Sequence, residues 1–188
     1  MDSFEPKSLK EWDDWLSSNH SSSTSIWLVL SKKESGLPFI EVNDVIETAL
    51  CYGWIDSLPN KLDDKRFKLR FSPRNPKSNW SKVNKEKVSR LISENRMKAA
   101  GLAMVELAKK SGTWSALDEV ENLVIPEDLQ NEFAKYSHAS TNFDAFPKSV
   151  KRGILEWLFN AKQEQTRTKR IQEIVEKAQE NIRANQYR

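Results

Sequence analysis

The chain has 188 residues, 38% hydrophobic and 30% charged, with a formal net charge of +3 at pH 7. That length allows one large domain or two small ones with a core that needs no staples, and a single cysteine excludes an internal disulfide. The apolar runs fall far short of the roughly 20 residues of a membrane span, and Met1–Pro6 shows no basic region followed by an apolar stretch, so a cytoplasmic protein is expected.

Ser8 and Glu11 have capping-box spacing, and Leu9, Trp12 and Leu16 form a buried stripe with Trp15 beside it. This pattern predicts a helix over 8–19. After a polar turn, residues 24–32 are continuously apolar in the middle and read as a central strand covered on both faces. Asn43 or Asp44 is the expected cap of a second helix carrying Val45, Ile46, Ala49 and Leu50, with Gly53 supplying a left-handed stop. Residues 55–58 leave in extended form towards Pro59. Residues 66–71 alternate basic and apolar, which places Phe67, Leu69 and Phe71 inward and Arg66, Lys68 and Arg70 outward.

Pro73 and Pro76 make residues 72–78 a loop. Ser81 caps a third helix running to about Asn95, with Trp80, Val83, Val88, Leu91 and Ile92 near one face. A largely apolar helix follows over 98–110. Pro126 opens a helix at its first position, ahead of two acids that suit the positive helix end. Val150, Ile154, Trp157, Leu158 and Ala161 share a stripe, as do Ile171, Ile174, Val175, Ala178 and Ile182, and Glu173 pairs with Lys177. The fold class is α+β: a small, mainly antiparallel sheet with helices in residues 1–114, and an all-helical part over 115–188. The boundary is compatible with one compact unit.

The charge is uneven. Residues 61–87 hold ten Lys or Arg against three Asp or Glu, a local +7, so the remaining chain carries 20 bases and 24 acids. Such an excess attracts an anion, an acidic partner or a nucleic acid backbone, or is simply a solvated face. The five glycines build no phosphate-cradling loop, and one Cys with two distant His makes no zinc set. Cys51 lies at a helix C-terminus, whose negative dipole end disfavours a thiolate, so it reads as a small buried hydrophobe.

Several stretches stand out together: Trp15-Leu16 with Asn19-His20, Trp27-Leu28, Leu50-Cys51-x-Gly53-Trp54-Ile55-Asp56-Ser57, Phe71-Ser72-Pro73-Arg74 and Ser78-x-Trp80-Ser81. Later in the chain come Glu156-Trp157, Ala161-Lys162 and Thr166-Arg167-x-x-Arg170-Ile171. The set resembles the YdeI/OmpD-associated, bacteriocin-protection family of bacterial proteins, the later stretches its helical segment. Ser72 and Asn95 stand where Thr and Gly are commoner. The resemblance implies a stress or antimicrobial-peptide-resistance-associated role. It brings no catalytic residue, and with no leader visible a periplasmic, porin-linked role is not expected.

The densest group of binding residue types is Trp54, Asp56, Arg70, Arg74, Lys77, Ser78, Asn79 and Trp80. Asp56 is expected to orient Arg70 or Arg74, while the proline-stiffened loop and the helix capped by Ser81 supply donors to a small anionic ligand or an acidic protein partner. Trp54 and Trp80 could stack on a planar ligand, although packing is their commoner use. The leading function is therefore non-enzymatic binding. One alternative is nucleic acid binding through the basic 61–87 face, weak at physiological salt given the small net charge. A second is an enzyme of unknown reaction using the same pocket. No metal, cofactor or catalytic residue is assigned, no membrane span is expected, and the oligomeric state is left open.

Overall fold

The computed structural model describes residues 2–185. The chain divides into two compact units, Met1–Ser115 and Ala116–Arg188. The first is α+β and the second is helical.

In the first unit, strand β1 (Ser3–Phe4) precedes helix α1 (Leu9–Asn19). Ser8 caps α1 by accepting from Glu11 N at 3.2 Å, but the Glu11 carboxylate reaches back to Lys7 N at 2.8 Å, one residue beyond the box expected from sequence. Trp12 is fully buried, and its indole N–H donates to the Val45 carbonyl at 3.1 Å, tying α1 to helix α2 (Val42–Cys51). The residue at the start of α2 is Glu41, with no side-chain cap, rather than Asn43 or Asp44. The amide of Asn43 is instead engaged one turn on, donating to Glu47 at 2.6 Å.

Strands β2 (Ile26–Ser31), β3 (Trp54–Lys61) and β4 (Arg66–Pro73) complete a four-stranded sheet of order β1-β2-β4-β3. β1 pairs with β2 in parallel, and the other two pairings are antiparallel. The two-residue β1 is too short to show any period in the sequence. In the β2–β4 register, Ile26, Leu28 and Leu30 face Phe71, Leu69 and Phe67 on the core side. Trp27, Val29 and Ser31 oppose Arg70, Lys68 and Arg66 on the outer side, as strand alternation requires.

β3 runs on through Pro59, further than the sequence suggested. It is an edge strand, and its pairing shifts between Asp56 and Pro59, which together accommodate a residue with no amide hydrogen. β4 likewise continues two residues into the expected loop, to Pro73.

Helix α3 (Lys82–Ser93) is capped by Ser81 and followed by Asn95 in the left-handed region at φ 55°. Val88 and Leu91 are buried, whereas Val83 and Ile92 are exposed. The buried stripe runs through positions 88 and 91, and each exposed residue lies one position off its turn. Helix α4 (Ala99–Ser111) crosses the end of α2 backbone to backbone. A Cβ on Gly101 would lie 2.3 Å from the Cys51 carbonyl oxygen, and Gly53, at φ 75°, would meet Met104 at 2.8 Å. These two glycines let α4 lie directly against the turn that launches β3.

The second unit contains α5 (Asp118–Glu121), α6 (Glu127–Phe133), α7 (Ala139–Ala145), α8 (Lys148–Phe159) and α9 (Glu164–Gln179). Pro126 stands at the cap of α6 in extended backbone, one position before the first helical residue expected for it. Leu129, Phe143, Ile154, Leu158, Ile174 and Val175 form the centre of the core. Ile182 lies beyond α9 and is exposed, while the Lys177–Glu173 pair forms at 2.7 Å.

The glycine contacts give opposite expectations for one substitution. Gly101→Ala should destabilise by about 2 kcal/mol, because the overlap with backbone outweighs the gain in helix propensity. Gly153→Ala in α8, where an added Cβ meets nothing within 4 Å, should stabilise by about 0.5–1 kcal/mol. Urea unfolding of the two variants checks the pair.

Candidate functional site

Arg74 emerges just past the end of β4. Its backbone N–H donates to the Gly53 carbonyl at 2.9 Å, which joins it to the turn that starts β3. Its guanidinium lies over the Trp80 ring, with Cζ 3.9 Å from the ring centroid, and Nη2 donates to the Asn79 carbonyl at 2.6 Å. A second, longer contact reaches the Ser78 carbonyl at 3.5 Å. The side chain is only 6% exposed, and no carboxylate forms an ion pair with it among the described residues. Burial alone pushes its guanidinium down to about 10. The folded state therefore carries the penalty of a desolvated cation at neutral pH, where folded and unfolded forms are both protonated.

Among the described residues two buried side-chain nitrogens have no hydrogen-bond partner: Arg74 Nε and Arg70 Nε. Buried donors are normally satisfied, so these two mark the places where the fold offers unused hydrogen-bonding capacity.

Arg74, Ser78, Asn79 and Trp80 thus come together. Lys77 is exposed on the same loop, its N–H held by the Asn75 side chain at 2.9 Å. The other candidates do not join this cluster by side-chain contact. Trp54 is 1% exposed, packs edge-on against Trp15 at 5.8 Å and donates to the His20 carbonyl at 3.1 Å. Trp80 is 3% exposed, held between Arg74 and Trp114. Both indoles are committed to packing and present no open face for stacking. Asp56 is half-buried and forms no ion pair with Arg70 or Arg74 among the described residues, contrary to the orienting role expected for it. The register explains why. Asp56 pairs with Phe71, which belongs to the core side, so Arg70 is on the opposite side of the sheet.

Residues 4–104, just over half of the chain, match the family model of a domain of unknown function, DUF8412. The chain belongs to that family. Residues 122–181 match the bacteriocin-protection, YdeI or OmpD-associated family, in agreement with the resemblance of the helical segment. The Gly53–Ser57 and Ser78–Ser81 motifs therefore fall in the DUF8412 match. Comparison with curated proteins and with solved structures finds no match in either.

The DUF8412 segment also holds a charged group that sequence reasoning missed. Glu47, 2% exposed, accepts from Arg90 at 2.5 Å and from Asn43, and Arg96 stands 3.8 Å away. Its signal was a carboxylate inside the apolar run of α2. Burial pushes the Glu47 carboxyl up, but the hydrogen bonds from Arg90 and Asn43 and the charges of Arg90 and Lys87 outweigh burial and leave it below its usual value. Nearby, the Tyr52 phenol donates to Asp13 at 3.1 Å and is pushed up to about 12, first by burial and then by that carboxylate. Burial also raises the Cys51 thiol against the opposing charges of Arg96 and Lys98, in keeping with an inert, packed cysteine.

In the YdeI/OmpD-associated segment, Arg167 of the Thr166-Arg167 motif forks onto Asp128 at 2.5 and 2.9 Å, joining α9 to α6. Arg170 lies over the Trp157 ring at 4.7 Å and donates to the Trp157 carbonyl. These arginines hold helices together. Among the described residues no group of three or more His, Cys, Asp or Glu is placed to hold a metal, and no helix is long and apolar enough to cross a membrane.

A carboxyl with a lowered folded pKa contributes stability that is present above its unfolded value and lost as pH falls through the folded value. Glu47→Gln should therefore lower stability by about 1–2 kcal/mol at neutral pH. The gap from the parent protein should close as pH falls below about 4. Urea unfolding at neutral and acid pH measures both.

Proposed function

We propose that this chain is a non-enzymatic, stress or antimicrobial-peptide-resistance-associated protein of the YdeI/OmpD-associated type that binds a small anion or an acidic partner group at Arg74. The observation that carries this reading is the guanidinium itself, buried against Trp80 without a carboxylate and with Nε unpartnered. A desolvated cation left without a counter-charge is a standing penalty in the unliganded fold, and an incoming carboxylate or phosphate oxygen relieves it through charge-assisted hydrogen bonds. The Ser78 and Asn79 carbonyls hold the guanidinium to the Asn75–Trp80 loop, and Lys77, exposed on that loop, adds a second positive charge to it. The buried indoles Trp54 and Trp80 serve as supports, so recognition runs through charge and hydrogen bonding rather than ring stacking. This favours a compact anionic head group. The family description, bacteriocin protection, supports the general role and leaves the ligand to the site chemistry.

Thermal unfolding in the presence of phosphate, sulfate and short carboxylates tests the reading. The parent protein should gain melting temperature with rising anion concentration beyond the effect of matched chloride. Arg74→Met, which keeps the length of the side chain and removes its charge, should lose that response. An equal response in parent and variant, or none in either, would remove Arg74 as the anion site.

A further inference from the structure

We propose that the outer side of the β2–β4 pair binds single-stranded nucleic acid, with Trp27 as the stacking ring and Lys68 and Arg70 as phosphate ligands. This surface is separate from the Arg74 cluster and does not depend on the function proposed there. Trp27 is the one tryptophan of Met1–Ser115 that neither belongs to nor packs against the hydrophobic core. It is only half-buried on a strand whose other five residues are all buried. Such a ring in mid-sheet calls for a reason other than core packing.

Its neighbours supply one. Arg70 stands directly opposite Trp27 in the register, and the Lys68 ammonium rests 4.8 Å from the Trp27 ring centroid. Neither cation forms an ion pair among the described residues, and Arg70 Nε is buried with no partner. The third basic residue of the alternation behaves differently. Arg66 is neutralised by Asp63 at 2.9 Å and Glu5 at 3.2 Å, and Lys61 is held by Asp64 at 2.9 Å. The basic stretch read from sequence is thus cancelled at the β3–β4 hairpin and left uncompensated around Trp27.

An indole flanked by two unpaired cations, two residues apart on one strand, matches the repeating chemistry of a single strand: a base with a π-face, and a phosphate on either side. The Lys68 ammonium covers the ring while the surface is empty and transfers to a phosphate as a base takes its place. Duplex DNA fits poorly, because its bases are stacked on one another and closed to a ring on a sheet. The sheet also offers no helix or ribbon to enter a groove.

The test is fluorescence anisotropy of a labelled oligothymidylate of about a dozen nucleotides, the size range of one sheet-borne site, measured against the duplex of the same length at low and at physiological salt. The parent protein should bind the single strand more tightly than the duplex and lose affinity as salt rises. Lys68→Gln with Arg70→Gln should weaken binding at least tenfold. Trp27→Leu should do the same, while Trp27→Phe, which keeps a ring, should retain most of the affinity. Arg66→Gln and Arg74→Met should change it less than twofold, and circular dichroism establishes that each variant is folded. Absence of binding at low salt would overturn the proposal. So would equal affinity for duplex and single strand, or folded Trp27 and Lys68/Arg70 variants that bind like the parent.

Discussion

The local architecture of the DUF8412 unit turns on a guanidinium that has an aromatic ring and a carbonyl for company but no carboxylate. Arg74 closes the Asn75–Trp80 loop by donating to Asn79 and lying on Trp80, while its own amide is fixed to Gly53. Through Trp80, whose backbone N–H donates to the Thr113 carbonyl at 3.1 Å, the same contact reaches the segment that follows α4. Through Gly53 it reaches the turn between α2 and β3. One buried cation therefore couples the end of β4, the start of β3, the entry to α3 and the exit of α4. Stacking on an indole and donation to carbonyls offset only part of the desolvation of a full charge. The remainder is the penalty that the proposed anion would relieve.

The two close-approach glycines make this arrangement possible. Without a side chain at 101, α4 can lie on the last turn of α2, so Gly53 can present its carbonyl to Arg74. The pair between buried Glu47 and exposed Arg90 secures the other side of α2 to α3. The two charged groups differ in an instructive way. Glu47 is desolvated but compensated, which makes it a structural lock. Arg74 is desolvated and has no ion-pair partner among the described residues, which is the ground for proposing it as a ligand site.

Much of this was readable from local pattern. The alternation of residues 66–71, the caps at Ser8 and Ser81, the left-handed Gly53 and Asn95, and the helical stripes of the second unit follow from neighbours a few positions apart. The failures share one physical origin: they concern relations fixed by distant partners. Strand β1 exists only because β2 offers it an edge. Pro59 is tolerated because β3 is itself an edge strand with a shifted register. Asp56 is expected from sequence to orient Arg70 or Arg74, but strand register sets it beside Phe71, on the other side of the sheet from Arg70. Arg74 could be singled out from its proline-flanked loop. That it would be buried on Trp80, with no carboxylate, depends on a fold no spacing rule encodes. Trp27 was submerged in an apolar run, and only the register with Lys68 and Arg70 sets it apart from the core tryptophans.

The proposed anion site requires that the buried, unpaired Nε–H of Arg74 be open to an incoming anion. Nitrogen-resolved NMR of the arginine side chains, with Arg74→Lys to assign the signal, reads that group directly. A slowly exchanging Arg74 Nε–H resonance that shifts with added phosphate, while the Arg66 signal stays in place, is the expected result. An Arg74 signal that exchanges as fast as those of the exposed arginines, or that does not move when phosphate is added, would contradict it.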